Sequence, residues 1–299
     1  MGPVWGRPFL ALAFAFLLQV GIAYAGPTQA GCAPQKRAEL PVRLRDGFAF
    51  VPASIGGVPV TLLLDTGAQG MLLTPGIVEA LRLPVDPRGG TRMLGTGGVR
   101  NAPNVMLRGL RVGSVALVDG SVPVAVLPGV PQTEPPLAGL LGDQFLGTYN
   151  LDLDLPHGRL ALYDALGCAA PPFSLPFSIL PLIRSPEGDA FVTVQVNGES
   201  LLALVDTGSR ASIVTEQTAE RLGLGGPGSA NIARGVDGAT LPIRHLRVRT
   251  VQVGADVVAD APISVSPLLL GRGDMLLGLD YLGRHRVWIS YRTGRVLIQ

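Results

Sequence analysis

The chain has 299 residues, with 40 Gly and 26 Pro against 9 Phe, 5 Tyr and 2 Trp, which is long enough for two domains of ordinary size and rich in turns. Its formal charge of +2 is small for this length and no Lys/Arg cluster with interleaved aromatics occurs, which argues against nucleic acid as a partner. His157, His245 and His285 lie far from one another and from both cysteines, so spacing assembles no metal site and implies no cofactor.

At the N-terminus, Arg7, an uncharged apolar run from Phe9 to Ala23, and then Ala23-Tyr24-Ala25-Gly26 read as a secretory signal over residues 1–25; an uncleaved helix is the competing possibility. No later segment reaches the roughly 18 uninterrupted apolar residues a membrane span needs. The mature chain is therefore expected to be soluble and exported, either periplasmic or secreted. Residues 26–40 make a short N-terminal arm, too short for a large pro-segment. Cys32 in that arm and Cys168 bracket the first half of the chain, and export permits a disulfide between them. Ala30-Gly31-Cys32 also has the small residues that precede a lipidated cysteine, but Gln29 stands where an aliphatic residue is usual, so a lipoprotein ranks second.

The stretch from Phe48 to Ile55 reads as a strand, Gly56-Gly57 supply the positive-φ residues of a tight hairpin, and a return strand leads into Asp65-Thr66-Gly67-Ala68. Met71-Leu72-Leu73 follows, then a short helix opened by Thr74-Pro75, with Ile77 and Leu81 on its inward face. A glycine-rich turn, Met93-Leu94-Gly95-Thr96-Gly97-Gly98, precedes further strands expected over 107–112 and 122–127. The proline-dense run from Pro128 to Pro136 reads as a surface loop. Leu140-Leu141-Gly142 and a strand over 159–163 close the half.

Beyond a proline-broken linker, the same parts recur. Asp206-Thr207-Gly208-Ser209 lies 141 residues after the first Asp-Thr-Gly, and that offset also aligns Phe50 with Phe191, Gly57 with Gly198, Leu63 with Leu204, Thr74 with Thr215, Val112 with Val253 and Asp119 with Asp260. Leu276-Leu277-Gly278 then matches Leu140-Leu141-Gly142 at an offset of 136, the difference falling on the proline-dense loop. This is an internal duplication. Asn197-Gly198 makes the second hairpin turn, Gly223 can close the second helix, and strands are expected over 246–253 and 295–298. The chain divides into a first lobe over 41–168, a linker over 169–180 and a second lobe over 181–299.

The order of parts resembles that of the retropepsin-like aspartic proteases. The residues that carry the resemblance are the doubled Asp-Thr-Gly, the glycine-rich 93–98 with a looser Arg234-Gly235-Val236-Asp237-Gly238, and the two Leu-Leu-Gly turns. The resemblance covers the chain from about Leu40 onward and is similar to bacterial exported members fused in tandem. It implies an all-β fold class: two tandem retropepsin-like β-barrel lobes related by a pseudo-two-fold axis, with short helices. It also implies that Asp65 and Asp206 form a catalytic dyad, and that Thr66 and Thr207 each bond the opposite lobe. Gly67 and Gly208 would leave room for close backbone approach, while small Ala68 and Ser209 would leave room for water. Gly95, Thr96, Gly97 and Gly98 would form a flap over extended substrate, with Gly235 and Gly238 in a more polar second tip. Leu140, Leu141, Gly142, Leu276, Leu277 and Gly278 would form the turns behind the site.

Two carboxylates face to face cannot both ionise, so they share a proton and can act as base and acid on one water. The leading expectation is an aspartic-type endopeptidase, a hydrolase whose one active site lies between two lobes of a monomer and whose partner is a peptide or protein substrate. Pairing of lobes between chains is a second arrangement. A different class is a non-catalytic module that uses the same fold to hold an extended peptide. Asp152, Asp154 and Asp280 are expected to serve local caps or solvent. Gly223, Gly225 and Gly228 match a dinucleotide fingerprint only formally, since they follow a helix and include Pro227.

Overall fold

In the computed structural model, which describes residues 33–299 except 96–97, 167, 169, 175, 226–228 and 235–238, both halves of the chain begin with the same kind of β-hairpin. Phe48–Ile55 pairs with Val58–Leu64 across Gly56 and Gly57, at φ 57° and 85°. Ala190–Val196 pairs with Glu199–Val205 across Asn197 and Gly198, at φ 55° and 91°. Two successive left-handed residues make the turn whose twist matches that of the strands. Each return strand then takes a parallel partner from the end of its half: Val58–Leu64 beside Leu137–Leu141, and Glu199–Val205 beside Met275–Leu277. Where these strands are flanked on both sides they are mostly apolar, and Leu62, Leu64, Leu141 and Val205 are buried.

The fold is mostly β with short helices. In the second half the sheet closes on itself, because Ala190–Val196 pairs with Glu199–Val205 on one side and with Thr240–Val253 on the other. In the first half the corresponding sheet curls only half-way, and Val85–Gly95, Gly98–Leu107 and Gly120–Pro123 form a separate three-stranded sheet. The strand expected over 107–112 is broken for the same reason: Gly109 stands at φ 66°, its amide donating to the Asp119 carboxylate (2.9 Å) and its carbonyl accepting from Gly56 (3.1 Å). Its counterpart Thr250 continues a strand of 14 residues. The strand expected over 122–127 stops at Pro123, because Val124 bonds Pro103 while Ala125 bonds Leu73, dividing the segment between two sheets.

Of the two helix starts, Thr215 accepts from Thr218 N and caps Glu216–Arg221, whereas Thr74 turns its hydroxyl to Leu137 O and leaves Pro75–Ala80 without a side-chain cap. Gly223 ends the second helix at φ 64°.

A six-stranded sheet joins the halves in the order Lys36–Pro41, Arg159–Asp164, Tyr149–Asp154, Arg286–Ser290, Arg295–Ile298, Ser178–Pro181. At its centre Asp152 lies opposite Trp288, and both are fully buried. Arg286 grips the Asp152 carboxylate with two bonds of 2.8 and 2.7 Å, and Arg159 bridges it to Asp154 at 3.2 and 3.0 Å. So Asp152 and Asp154 are neither local caps nor solvated; they are half of an ion network seated on the junction of the lobes. Arg286 also lies 3.9 Å over the Phe173 ring, which meets Trp288 edge-on, so the linker packs on this sheet.

Removing one partner of a buried ion pair strands the other. Since Arg159 remains beside Asp152 and Arg286 is itself partly exposed, Arg286→Met should lower stability by about 2–3 kcal/mol. Urea unfolding followed by Trp288 fluorescence measures the loss.

Candidate active site

Asp65 and Asp206 leave the buried ends of the two return strands, their amides held by Leu141 O (3.1 Å) and Leu277 O (3.0 Å) of the parallel neighbours. The chain then turns back under each carboxylate. Asp65 Oδ1 accepts from the amides of Gly67 (3.0 Å) and Ala68 (2.9 Å), and Asp206 Oδ1 from those of Gly208 (2.8 Å) and Ser209 (3.1 Å).

The two loops are laced together. Thr66 donates its hydroxyl to Val205 O (2.7 Å) and accepts from the amide of Thr207 (3.1 Å); Thr207 donates to Leu64 O (2.9 Å) and accepts from the amide of Thr66 (3.0 Å). Both threonines are buried. The approach is so close that a Cβ on Gly67 would lie 2.5 Å from the Asp206 carboxyl carbon, and one on Gly208 2.4 Å from that of Asp65. Only glycine fits there.

Leu140 and Leu276 are buried in apolar clusters beside the loops, and Leu141 and Leu277 in the core behind them. Gly142 and Gly278 back directly onto the loop carbonyls, where a Cβ would lie 2.1 Å from Gly70 O and 2.4 Å from Ala211 O. The turns that follow send amides into the loops: Asp143 N to Ala68 O (2.7 Å), Gln144 N to Gln69 O (2.7 Å), Leu279 N to Ser209 O (2.8 Å) and Asp280 N to Arg210 O (3.1 Å). Asp280 also takes the amide and hydroxyl of Ser212, so it braces the second loop instead of serving as a cap or facing solvent. Ser209 turns its hydroxyl to Ala211 O (2.8 Å), away from Asp206.

Burial pushes both carboxyls up. Desolvation raises Asp65 to about 6 against the opposing pull of the Ala68 and Gly67 amides; desolvation and the neighbouring Asp65 charge raise Asp206 well above the usual carboxylate range. Both shifts favour a proton kept on the pair.

Gly95 and Gly98 face each other where the Val85–Gly95 and Gly98–Leu107 hairpin turns, and Met93 on that hairpin packs against the cluster of Phe48, Phe50, Leu63 and Ala68. Thr96, Gly97, Gly235, Gly238 and Cys32 lie outside the described residues; Cys168 is buried. Among the described residues no cluster of His, Cys, Asp and Glu is arranged to hold a metal ion. His157 pairs with Asp154, His245 bonds Ser264, and His285 stacks on Tyr281. No helix among the described residues is long and apolar enough to cross a membrane.

Two family models match the chain: "Aspartyl protease" over residues 51–145, and "gag-polyprotein putative aspartyl protease" over residues 192–284. The chain has an aspartic-protease-like fold of the pepsin clan, with two protease-family domains. Among curated relatives, Protein DDI1 homolog 2 of Danio rerio is 35% identical over 111 residues, covering 36% of this chain and 26% of that protein. DNA damage-inducible protein 1 of Chaetomium globosum is 33% identical over 112 residues, covering 36% and 24%. The chain thus spans about a quarter of the length of the curated relatives it matches. The fold extends further than these matches: the crystal structure of Basic 7S globulin from soybean superposes with a TM-score of 0.50 at 12% identity, over 89% of this chain and 97% of that one.

Sequence patterns did not single out several residues that serve the two protease-family domains. Gln69 and Arg210, on the two Asp loops, meet Asp189 and Phe48 of the opposite domains, and Arg184 reaches across to Asp143. The offset of 141 aligns Gln69 with Arg210 and Phe48 with Asp189, but neither pair is identical, so the duplication carries no signal there.

Two measurements check this geometry. Thr207→Val keeps the shape but strands the buried Thr66 amide and Leu64 carbonyl, and should cost about 2–3 kcal/mol in urea unfolding. Because the folded carboxyls bind protons more tightly than unfolded ones, stability should fall as pH rises from about 4, the unfolded value, through about 6. Asp206→Asn, neutral at every pH, should flatten that fall and melt higher than the native chain above about pH 7, as read by calorimetric melting.

Proposed function

We propose that this protein is an aspartic endopeptidase with one active site between its two domains. The observation that carries it is the reciprocal threonine lacing, which holds a half-buried and a buried carboxyl against each other's glycines with raised proton affinity. A chain has little use for so costly a pair unless it acts on a substrate.

In this reading a water held between Asp65 and Asp206 attacks the scissile carbonyl. One carboxylate takes its proton; the other, protonated, hydrogen-bonds the carbonyl oxygen and stabilises the charge that develops there. The proton belongs to the pair, since coupled groups titrate together. No covalent intermediate forms. The backbone amides under each Oδ1 fix the carboxyl planes, and the hairpin carrying Met93 would cover substrate and exclude bulk water.

Apolar clusters on both sides of the dyad, Phe48, Phe50, Leu63 and Leu140 in one domain and Phe191, Leu204, Ile213 and Leu276 in the other, favour extended peptides with apolar side chains about the cleaved bond. The signal-like segment over residues 1–25 supports export, and the reciprocal contacts within one chain support a working monomer.

The purified protein should cleave members of a diverse peptide library between acid and neutral pH. Asp65→Asn and Asp206→Asn should each abolish cleavage while remaining folded by circular dichroism; activity retained in either variant would sink the proposal. Tight binding without cleavage, unchanged by either substitution, would instead favour a peptide-holding module.

A further inference from the structure

The pseudo-symmetry that brings the two Asp loops together also brings together their flanks, and there the charges do not match. In each domain the turn that leads into the first strand of the opening hairpin reaches across to the other domain's Asp loop. From the second domain, the turn 185–189 brings Asp189 to Gln69, whose Nε2 donates to Asp189 Oδ1 at 3.1 Å. Ser185 holds the other carboxylate oxygen (3.1 Å), and Arg184 pairs with Asp143 at 2.7 Å. From the first domain, the turn at Gly47 brings Phe48 to Arg210, whose guanidinium lies 5.2 Å over the ring while its stem rests on Gly47.

These are the same two contacts seen twice. At the offset of 141, Asp189 corresponds to Phe48 and Gln69 to Arg210; at 136, Asp143 corresponds to Leu279. The turn that carries Asp189 therefore also carries Glu187, with Arg184 paired to Asp143, while the turn at Gly47 carries Arg45 and Asp46, paired with each other, beside Arg210. Arg210 is exposed and makes no ion pair among the described residues. We propose that the substrate cleft is electrically polarised, so that an extended peptide lies across the dyad in one direction, with an acidic side chain beside Arg210 and a basic one beside Asp189.

A site with true two-fold symmetry has no direction of its own, and a peptide could enter either way round. Opposite charges at its two ends remove that equivalence, favouring one orientation at each exposed position by about threefold and raising the on-rate for peptides with matching ends. The attraction weakens with salt, since both ends are open to water. The inference rests on the peptidase reading, because it needs a peptide in the cleft.

Titration calorimetry with non-cleavable peptides bearing a central hydroxyl isostere tests it. Two peptides carry the same apolar core with Glu before and Lys after the isostere, or the reverse, and a third is neutral at both ends. Both charged peptides, each seated with its Glu toward Arg210, should bind at least about threefold tighter than the neutral one at low salt. That gap should shrink in Arg210→Gln, which installs the first loop's own residue, and in Asp189→Asn, which keeps the bonds to Gln69 and Ser185. The neutral peptide should be unaffected by either change. Charged peptides that bind no tighter than the neutral one, or a gap that survives both substitutions, would overturn the polarity while leaving the dyad reading intact. If no peptide of the three binds folded protein, the peptidase reading falls and this inference with it.

Discussion

Four hydrogen bonds between Thr66 and Thr207 and the opposite strands hold the centre of this molecule. Each hydroxyl both gives and accepts, so neither loop can satisfy its buried backbone without the other. The consequences spread outward. The loops close until only glycine fits beside the facing carboxyl, the carboxyls lose water, and their proton affinity rises. The same closeness makes the pair a strain on the fold, because two carboxyls held together away from bulk water are less stable there than in water at neutral pH.

The surroundings answer that strain differently in the two halves. Behind the second loop, Asp280 takes both donors of Ser212, whose hydroxyl in turn accepts from Gly278 N, so the brace is local. The first half has Met71 and Gln144 at those positions and cannot copy it. There Asp143 is braced from the other domain by Arg184. Farther out, the six-stranded sheet ties the domains through Asp152, Arg286 and Arg159, a network in which each charge is buried or half-buried and every partner comes from a different strand or turn. The lobes are thus joined at two levels, by neutral hydrogen bonds at the dyad and by charge at the sheet.

Much of this was legible in the residues. The hairpin turns at Gly56-Gly57 and Asn197-Gly198 follow from local φ requirements that few residues meet, and the cap at Thr215 and the stop at Gly223 are equally local. Strand ends were less so. Gly109 breaks a valine- and leucine-rich run because Asp119, ten residues on, captures its amide, and nothing within the run itself announces that bond. Asp152 and Asp154 read as local caps or solvent-facing, since Arg286, which grips Asp152, lies 134 residues away and Arg159 meets them only from the neighbouring strand. The aligned positions that differ, Gln69 against Arg210 and Phe48 against Asp189, carried information that only became readable once each was seen touching the other domain.

The sequence by itself determined the duplication, the two Asp-Thr-Gly loops and the apolar strands that deliver them, because these depend on residue type, spacing and backbone preference within short windows. The tertiary structure decided what the duplicates do to each other: which oxygen each hydroxyl meets, how near the carboxyls come, and that Gln69 meets Asp189 where Arg210 meets Phe48. Those are distances between residues more than a hundred positions apart, fixed by packing of whole sheets, and no local pattern encodes them.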